Sequence, residues 1–255
     1  MIIRIIKADI HWLIFYCFVF LSWVLVLLVN RDSSEIESFQ SIYGAEFWIE
    51  LCGRANGIED MGSLFLMWVI MSGAMMMPTL VPTLRTYQDL IYSGAGTPIG
   101  FLLIIFGFLI VWVGYSVLIA ILQAVLLEQR FINSNGQLTS SVVSTFLLLS
   151  AGFYQFSKLK NSCASKCRAP LTFFMEFWAP GQVQCFKMGL RLGLSCLGCC
   201  WVLMLLAFVG GTMSLAFMGL ATVIMILEKL PKLGDYISKP LGYVLIATAG
   251  LNLLI

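Results

Sequence analysis

Charged and imidazole side chains are scarce in this sequence. Only 11% of the 255 residues are Asp, Glu, Lys or Arg, whereas soluble domains carry roughly 25%. A single histidine, His11, lies at the start of the first apolar run, so a serine or cysteine hydrolase would lack its base. Walker and dinucleotide-binding motifs are also missing. These absences argue against a soluble enzyme, and we expect His11, beside Trp12, to lie at a membrane interface.

Few charged residues fall inside the apolar runs. Proton-driven transporters usually carry such residues within the membrane, so this scarcity argues against an ion-coupled pump. The last apolar run, 241–255, has no lysine, which excludes a retinal protein. The net charge is +2 and no basic run tracks phosphates, so nucleic acid is not an expected partner.

Apolar residues are abundant, at 60% of the chain, and occur in runs long enough to cross a lipid bilayer of about 30 Å. This pattern predicts an all-α, polytopic transmembrane bundle in one membrane domain, residues 1–255, with the bilayer as its surroundings. The near-continuous run that ends at Glu228 is too long for one crossing, so we place a turn at Gly210, Gly211 and Ser214. The seven predicted spans are 10–29, 61–81, 99–126, 138–156, 192–209, 213–227 and 241–255.

Basic residues are unevenly distributed between the loops. With a cytoplasmic amino terminus, all of the 15 Lys and Arg residues except Arg31, Arg54 and Arg130 fall on the cytoplasmic side. This agrees with the positive-inside rule. The segment 157–191 is then a basic cytoplasmic loop, and the acidic segment 30–60 is a periplasmic loop.

Sulfur side chains are concentrated between residues 189 and 204. In a helix, Cys196, Cys200 and Met204 fall at i, i+4 and i+8, so they form one stripe. Cys199 lies beside that stripe. Cysteine and methionine also pack well as apolar residues, but Cys-x-x-Cys-Cys is denser than packing usually requires. We therefore expect this helix face to bind a soft metal ion or to carry redox chemistry.

Two other groups of sulfur side chains are spaced for a helix face. Cys163 and Cys167 are four residues apart in the basic loop, where they would receive or release an ion at the membrane surface. Methionines occur four residues apart in the second span, and Pro78 should bend that span near Ala74. The methionines that we consider as thioether ligands are Met71, Met75, Met76, Met77 and Met204.

The ligand chemistry leaves two metals open. Cu(I) accepts two or three sulfur ligands, so either cysteine group suffices. Zinc would require a closed set of four, such as Cys163, Cys167, Cys196 and Cys200. On the cytoplasmic side these thiols stay reduced, so they are expected as metal ligands rather than as disulfides.

Two pairs of charged residues lie at the ends of spans. Arg85 and Asp89 are expected in a short loop that ends near Pro98. Glu228 is the one carboxylate close to the cysteine-rich span. Because Lys229 follows it at the expected membrane edge, it is either a surface residue or a partner of the metal ligands.

Three motifs together resemble a known family. The first runs from Trp68 to Thr79 and has an Ala-Met-Met-x-Pro core. The second is the segment from Gly152 to Lys160 that leads to Cys163-x3-Cys167-Arg-x-Pro. The third is Gly189-Leu-Arg-x-Gly-x-x-Cys-x-Gly-Cys-Cys-Trp-x-Leu-Met204, and its apolar run ends at Glu228-Lys229. In this order, over residues 61–230, the chain is similar to the bacterial membrane family called domain of unknown function 2182, described as predicted metal-binding integral membrane proteins. The resemblance implies a bacterial inner membrane protein whose ligands include Cys163, Cys167, Cys196, Cys199, Cys200 and Met75 to Met77. The chain has Leu192 where a histidine often stands in that family.

The functional expectation is a metal-handling membrane protein rather than an enzyme. It would bind Cu(I) through cysteine and methionine sulfur for delivery to, or assembly of, another membrane protein. One alternative is an accessory or structural subunit of a larger membrane complex without a metal of its own. Another is a membrane thiol oxidoreductase, which we rank last because vicinal cysteines such as Cys199 and Cys200 form only strained disulfides.

Overall fold

The computed structural model of the protein describes residues 2–29, 61–133, 136–179, 181–212, 214–231 and 233–254. Within these ranges the fold is all-α, as predicted, and the only β pairing is an isolated bridge between Ile132 and Leu138. The predicted loop 30–60 lies outside the described residues. The helices are α1 (Ile2–Val29), α2 (Met61–Met76), α3 (Val81–Tyr92), α4 (Pro98–Glu128), α5 (Ser141–Gln155), α6 (Lys158–Arg168), α7 (Pro170–Phe177), α8 (Gln182–Leu205), α9 (Ala207–Gly210), α10 (Leu215–Glu228) and α11 (Gly234–Leu254).

Among the residues that the structure describes, four segments are long and apolar enough to cross a membrane: Ile10–Leu27, Met61–Tyr92, Pro98–Glu128 and Gln182–Gly210. A fifth is possible if α5 and α6, which meet at a bend of 60°, count as one broken span. Many large apolar side chains on these segments are exposed, among them Leu13, Phe20 and Leu118. This abundance of exposed large apolar side chains fits a lipid environment. The count of seven spans remains a prediction.

The second apolar segment is interrupted at Pro78, as expected. Helix α2 ends at Met76, a short 3₁₀ helix follows at Pro78–Leu80, and α3 continues from Val81. Proline has no backbone N–H, so the carbonyl of Ala74 four residues earlier loses its helical donor. The indole N–H of Trp23 donates to that carbonyl at 3.0 Å. Helix α1 therefore packs against α2 at the break.

Several boundaries and environments differ from the prediction. Arg85 and Asp89 lie on α3 and not in a loop. Helix α8 begins at Gln182, and much of the basic segment 157–191 is helical. His11 is 2% exposed and its Nε2 lies 2.5 Å from Oε1 of Gln88. His11 therefore has a buried polar partner on α3, and its placement at a membrane interface remains a prediction.

Helix α8 is central to the bundle and packs closely along α4, with α6 on another side. The close approach depends on glycine, because a Cβ on Gly189 would collide with the carbonyl oxygen of Ile104. Small residues at a membrane helix interface let backbones approach in this way. The chain turns after this helix at the predicted residues, since α9 ends at Gly210 and Gly211 has a φ of +93°. Ser214 then caps α10 by accepting a hydrogen bond from the backbone N–H of Phe217.

Candidate metal centre

The predicted sulfur stripe lies on the buried face of α8. Cys196, Cys199, Cys200 and Met204 are all at most 4% exposed. The thiols of Cys199 and Cys200 lie 3.1 and 2.8 Å from the carbonyl oxygen of Cys196, within the same helical turn. The helical period therefore places three thiols side by side in the protein interior, with Met204 one turn further along.

Helix α2 adds a thioether to these thiols. The sulfur of Cys200 lies 3.7 Å from Sδ of Met76, although the two residues are 124 positions apart. Met76 is the last residue of α2 before the break at Pro78. Met71, Met75 and Met77 are also buried. Of the predicted methionine ligands, Met76 is thus the one that this contact brings to the α8 thiols.

Helix α6 contributes the second predicted cysteine pair. Cys167 is buried, and its thiol lies close enough to that of Cys199 for the two groups to interact electrostatically. Cys163 is half-buried and lies against α8 at Gly198, where a Cβ would meet its sulfur at 2.6 Å. The hydroxyl of Tyr154 donates to the Gly198 carbonyl, which joins α5 to the same turn. We call Cys167, Cys196, Cys199, Cys200 and Met76 the sulfur cluster.

A lysine lies directly against the sulfur cluster. The ammonium group of Lys229 is 2.8 Å from Sγ of Cys196 and 2.8 Å from Oγ1 of Thr79. Burial lowers the pKa of Lys229, but thiolate charge at Cys196, Cys199 and Cys200 raises it by more, so the pKa stands well above its ordinary value. The sulfur cluster therefore faces a cation.

An ion pair lies beside this lysine. Both carboxylate oxygens of Glu228 accept from the ammonium of Lys160, at 2.8 and 3.0 Å, and Gln155 also accepts from it. Lys160 is 1% exposed and Glu228 is 5% exposed. Of the two interpretations of Glu228, the surface one is wrong: the carboxylate is buried and paired with Lys160. Arg168 donates to the Glu228 carbonyl at 2.8 Å and ties α6 to the end of α10.

The sulfur atoms are neighbours without forming a closed cage. Within the described residues, no three His, Cys, Asp or Glu side chains are arranged to hold a metal ion. The four-cysteine zinc set is therefore not assembled there. Two thiols and a thioether are sufficient for Cu(I), which favours soft ligands in low coordination numbers. The cysteines of the described ranges are free thiols, so none is consumed in a disulfide.

Sequence reasoning missed the polar half of this centre. Lys229 and Thr79 are 150 residues apart, and the sequence analysis gave neither of them a role in metal binding. The sequence pattern puts Lys229 at the membrane edge only because it ends an apolar run. A signal was available in the adjacent pair Glu228-Lys229: a helix that ends inside the bundle must give each of these charges a buried partner.

A family comparison gives the chemistry a context. Residues 65–252 match the family model of the copper chaperone PpoB2. The chain belongs to the PpoB2 copper chaperone family. The matched range includes the whole sulfur cluster together with Thr79 and Lys229. Comparisons with curated proteins and with solved structures gave no match. Membership in the PpoB2 family supports copper handling and interaction with another protein.

Proposed function

We propose that this protein holds Cu(I) in the sulfur cluster and delivers it to another membrane protein. The observation that carries the proposal is the contact between Cys200 on α8 and Met76 on α2, in a chain of a copper chaperone family. Thiolate and thioether sulfurs are the soft ligands that select Cu(I) over magnesium or calcium. Copper is cargo in this proposal, so the ion must be bound tightly and also released.

The arrangement of thiols supports a route for the ion. Cys163 is half-buried, Cys167 is buried, and the Cys167 thiol is near enough to that of Cys199 to interact with it electrostatically. Cu(I) can pass between sulfur ligands by gaining a third ligand before it loses the first, because two- and three-coordinate states are both acceptable. Each thiol that binds releases its proton. Cys163 is then the point of exchange with the surroundings, and Cys196 and Cys200 with Met76 hold the ion.

We also propose that the protein is a multi-pass protein of the bacterial inner membrane with its amino terminus in the cytoplasm. The charge asymmetry of the sequence supports this orientation, and the four or five apolar segments support the membrane location. The test is a set of reporter fusions after Tyr92, Gln129 and Leu254. The fusion after Tyr92 should report the cytoplasm, and the fusions after Gln129 and Leu254 should report the periplasm, because they follow the third and the seventh predicted spans.

Copper binding is tested on protein purified in detergent under anaerobic, reducing conditions. Cu(I) is titrated in competition with a chromogenic chelator. Wild-type protein is expected to retain Cu(I), and the triple variant Cys196→Ser, Cys199→Ser, Cys200→Ser is expected to lose it. The matched control is Cys185→Ser, because Cys185 is a buried thiol on the same helix but outside the sulfur cluster. Its sulfur lies 3.5 Å from the hydroxyl oxygen of Tyr87.

The outcomes also separate the alternatives. A triple variant with wild-type copper content would refute the proposed site. Copurification with stoichiometric partners and no copper would favour an accessory subunit. Reversible loss of a pair of titratable thiols under mild oxidant, without copper binding, would favour a thiol oxidoreductase.

A further inference from the structure

Lys229 is held against the sulfur cluster by two separate contacts. Its side chain is 4% exposed, and its ammonium group bridges Thr79 and Cys196. Thr79 is fixed in turn, because its hydroxyl donates to the Met76 carbonyl at 2.7 Å. Met76, whose sulfur contacts Cys200, therefore fixes the threonine that holds the Lys229 ammonium. A cation is thus built into the side of the centre formed by α2 and α10.

The neighbouring charges are already matched to other groups. Glu228 precedes Lys229 in the chain, but its carboxylate is bound by Lys160. Arg168 donates to the Glu228 carbonyl and, at 3.2 Å, to the hydroxyl of Ser238. The charge of Lys229 is therefore directed at the thiols and not at the adjacent carboxylate.

Charge balance then distinguishes monovalent from divalent ions. Cu(I) bound by two thiolates is a complex of net charge minus one, and the ammonium of Lys229 makes the assembly neutral. Zn(II) bound by the same two thiolates is already neutral, so the ammonium leaves a net positive charge. An uncompensated charge in a buried, low-dielectric site is strongly unfavourable. The same thiols thus favour Cu(I) more in the presence of Lys229 than in its absence.

We propose that Lys229 is a specificity-determining residue that makes the Cys196–Cys200 centre selective for monovalent soft ions over divalent ones. This inference rests on the proposed function, because it assumes that the sulfur cluster binds Cu(I). Thr79 is the positioning residue that keeps the ammonium close when one lone pair of Cys196 is taken by the metal.

The test compares metals and variants in the purified, full-length protein. Cu(I), Ag(I), Zn(II) and Cd(II) are each titrated into wild type, Lys229→Met, Lys229→Gln and Lys229→Arg. The neutral variants should lose about tenfold or more in Cu(I) and Ag(I) affinity and should gain Zn(II) and Cd(II) binding. Lys229→Arg should stay close to wild type. Thr79→Val should weaken the preference for Cu(I) and Ag(I) without reversing it, because it removes one hydrogen bond to the ammonium and leaves the charge. Lys187→Met is the matched control, because Lys187 is an exposed lysine on α8 and its removal should leave the metal preference unchanged.

The possible failures are distinguishable. Neutral variants with the wild-type preference for Cu(I) over Zn(II) would overturn the inference and leave the proposed function standing. Absence of Cu(I) binding in the folded wild type would overturn both. If the neutral variants do not fold, the metal preference of the wild-type protein is the test. The inference would be overturned if wild type bound Zn(II) as tightly as Cu(I) and the Cys196→Ser variant lost that Zn(II) binding. A clear preference of wild type for Cu(I) and Ag(I) supports the inference.

Discussion

The indole N–H of Trp23 donates a hydrogen bond to the carbonyl of Ala74, the carbonyl that Pro78 leaves without its helical donor. A proline break in a membrane helix exposes a polar group that lipid cannot satisfy, so a neighbouring side chain must do so. Trp23 performs this role from α1. The break follows Met76, whose sulfur contacts Cys200 on α8, so the contact of Trp23 also supports the sulfur cluster.

Removing this donor should loosen the bundle at the break. Trp23→Phe keeps most of the ring and deletes the N–H, and we expect a loss of about 1–2 kcal/mol in the free energy of unfolding. Thermal unfolding in detergent measures the change. Ser22→Ala is the control, because the Ser22 hydroxyl bonds the Phe18 carbonyl of its own helix. Equal melting temperatures for Trp23→Phe and wild type would contradict the assigned role.

Removing one charge of the Lys160–Glu228 ion pair should destabilise the fold much more than removing both charges together. Lys160→Met leaves a buried carboxylate without its partner, and we expect a destabilisation of about 3–5 kcal/mol. The double variant Lys160→Met, Glu228→Leu removes both charges and should recover much of that loss. A double-mutant cycle on unfolding free energies measures the coupling. Additive losses in the double variant would show that the two charges act independently.

The α4–α8 contact should not tolerate a side chain at Gly189. A Cβ there would collide with the backbone of Ile104, and backbone cannot move aside cheaply. We expect Gly189→Ala to destabilise the protein by about 1–3 kcal/mol. Gly219→Ala is a matched control, because a Cβ added at Gly219 on α10 would have no neighbour within 4 Å; it should be neutral or stabilising by about 0.5–1 kcal/mol. Equal melting temperatures for the two variants would disprove the close contact.

The thioether of Met76 should contribute to copper affinity. Met76→Leu keeps the volume and removes the sulfur that lies 3.7 Å from Cys200, so we expect Cu(I) affinity to fall by about tenfold. Met188→Leu is the control, since Met188 is equally buried on α8. Chelator competition measures both. A larger loss of Cu(I) affinity in Met188→Leu than in Met76→Leu would show that Met76 is not the thioether ligand.

Local features of the centre could be predicted from the sequence. The positions of Cys196, Cys199 and Cys200 on one buried face follow from helical periodicity, which depends on neighbours in the chain. The break at Pro78 follows from the missing N–H of proline. The environment of His11 could not be predicted in this way, because its partner Gln88 is 77 residues away. The same holds for Glu228, whose partner Lys160 is 68 residues away.

The sequence by itself determined the all-α class, the apolar segments, and the helix faces on which sulfur is concentrated, since composition and periodicity control each of these. Only the tertiary structure decided which sulfurs meet, that Cys167 joins Cys199, and that Lys229 is turned towards Cys196. The physical reason is that buried polar and soft groups take partners according to the packing of whole helices. That packing is set by close approaches such as Gly189 against Ile104 and not by spacing along the chain.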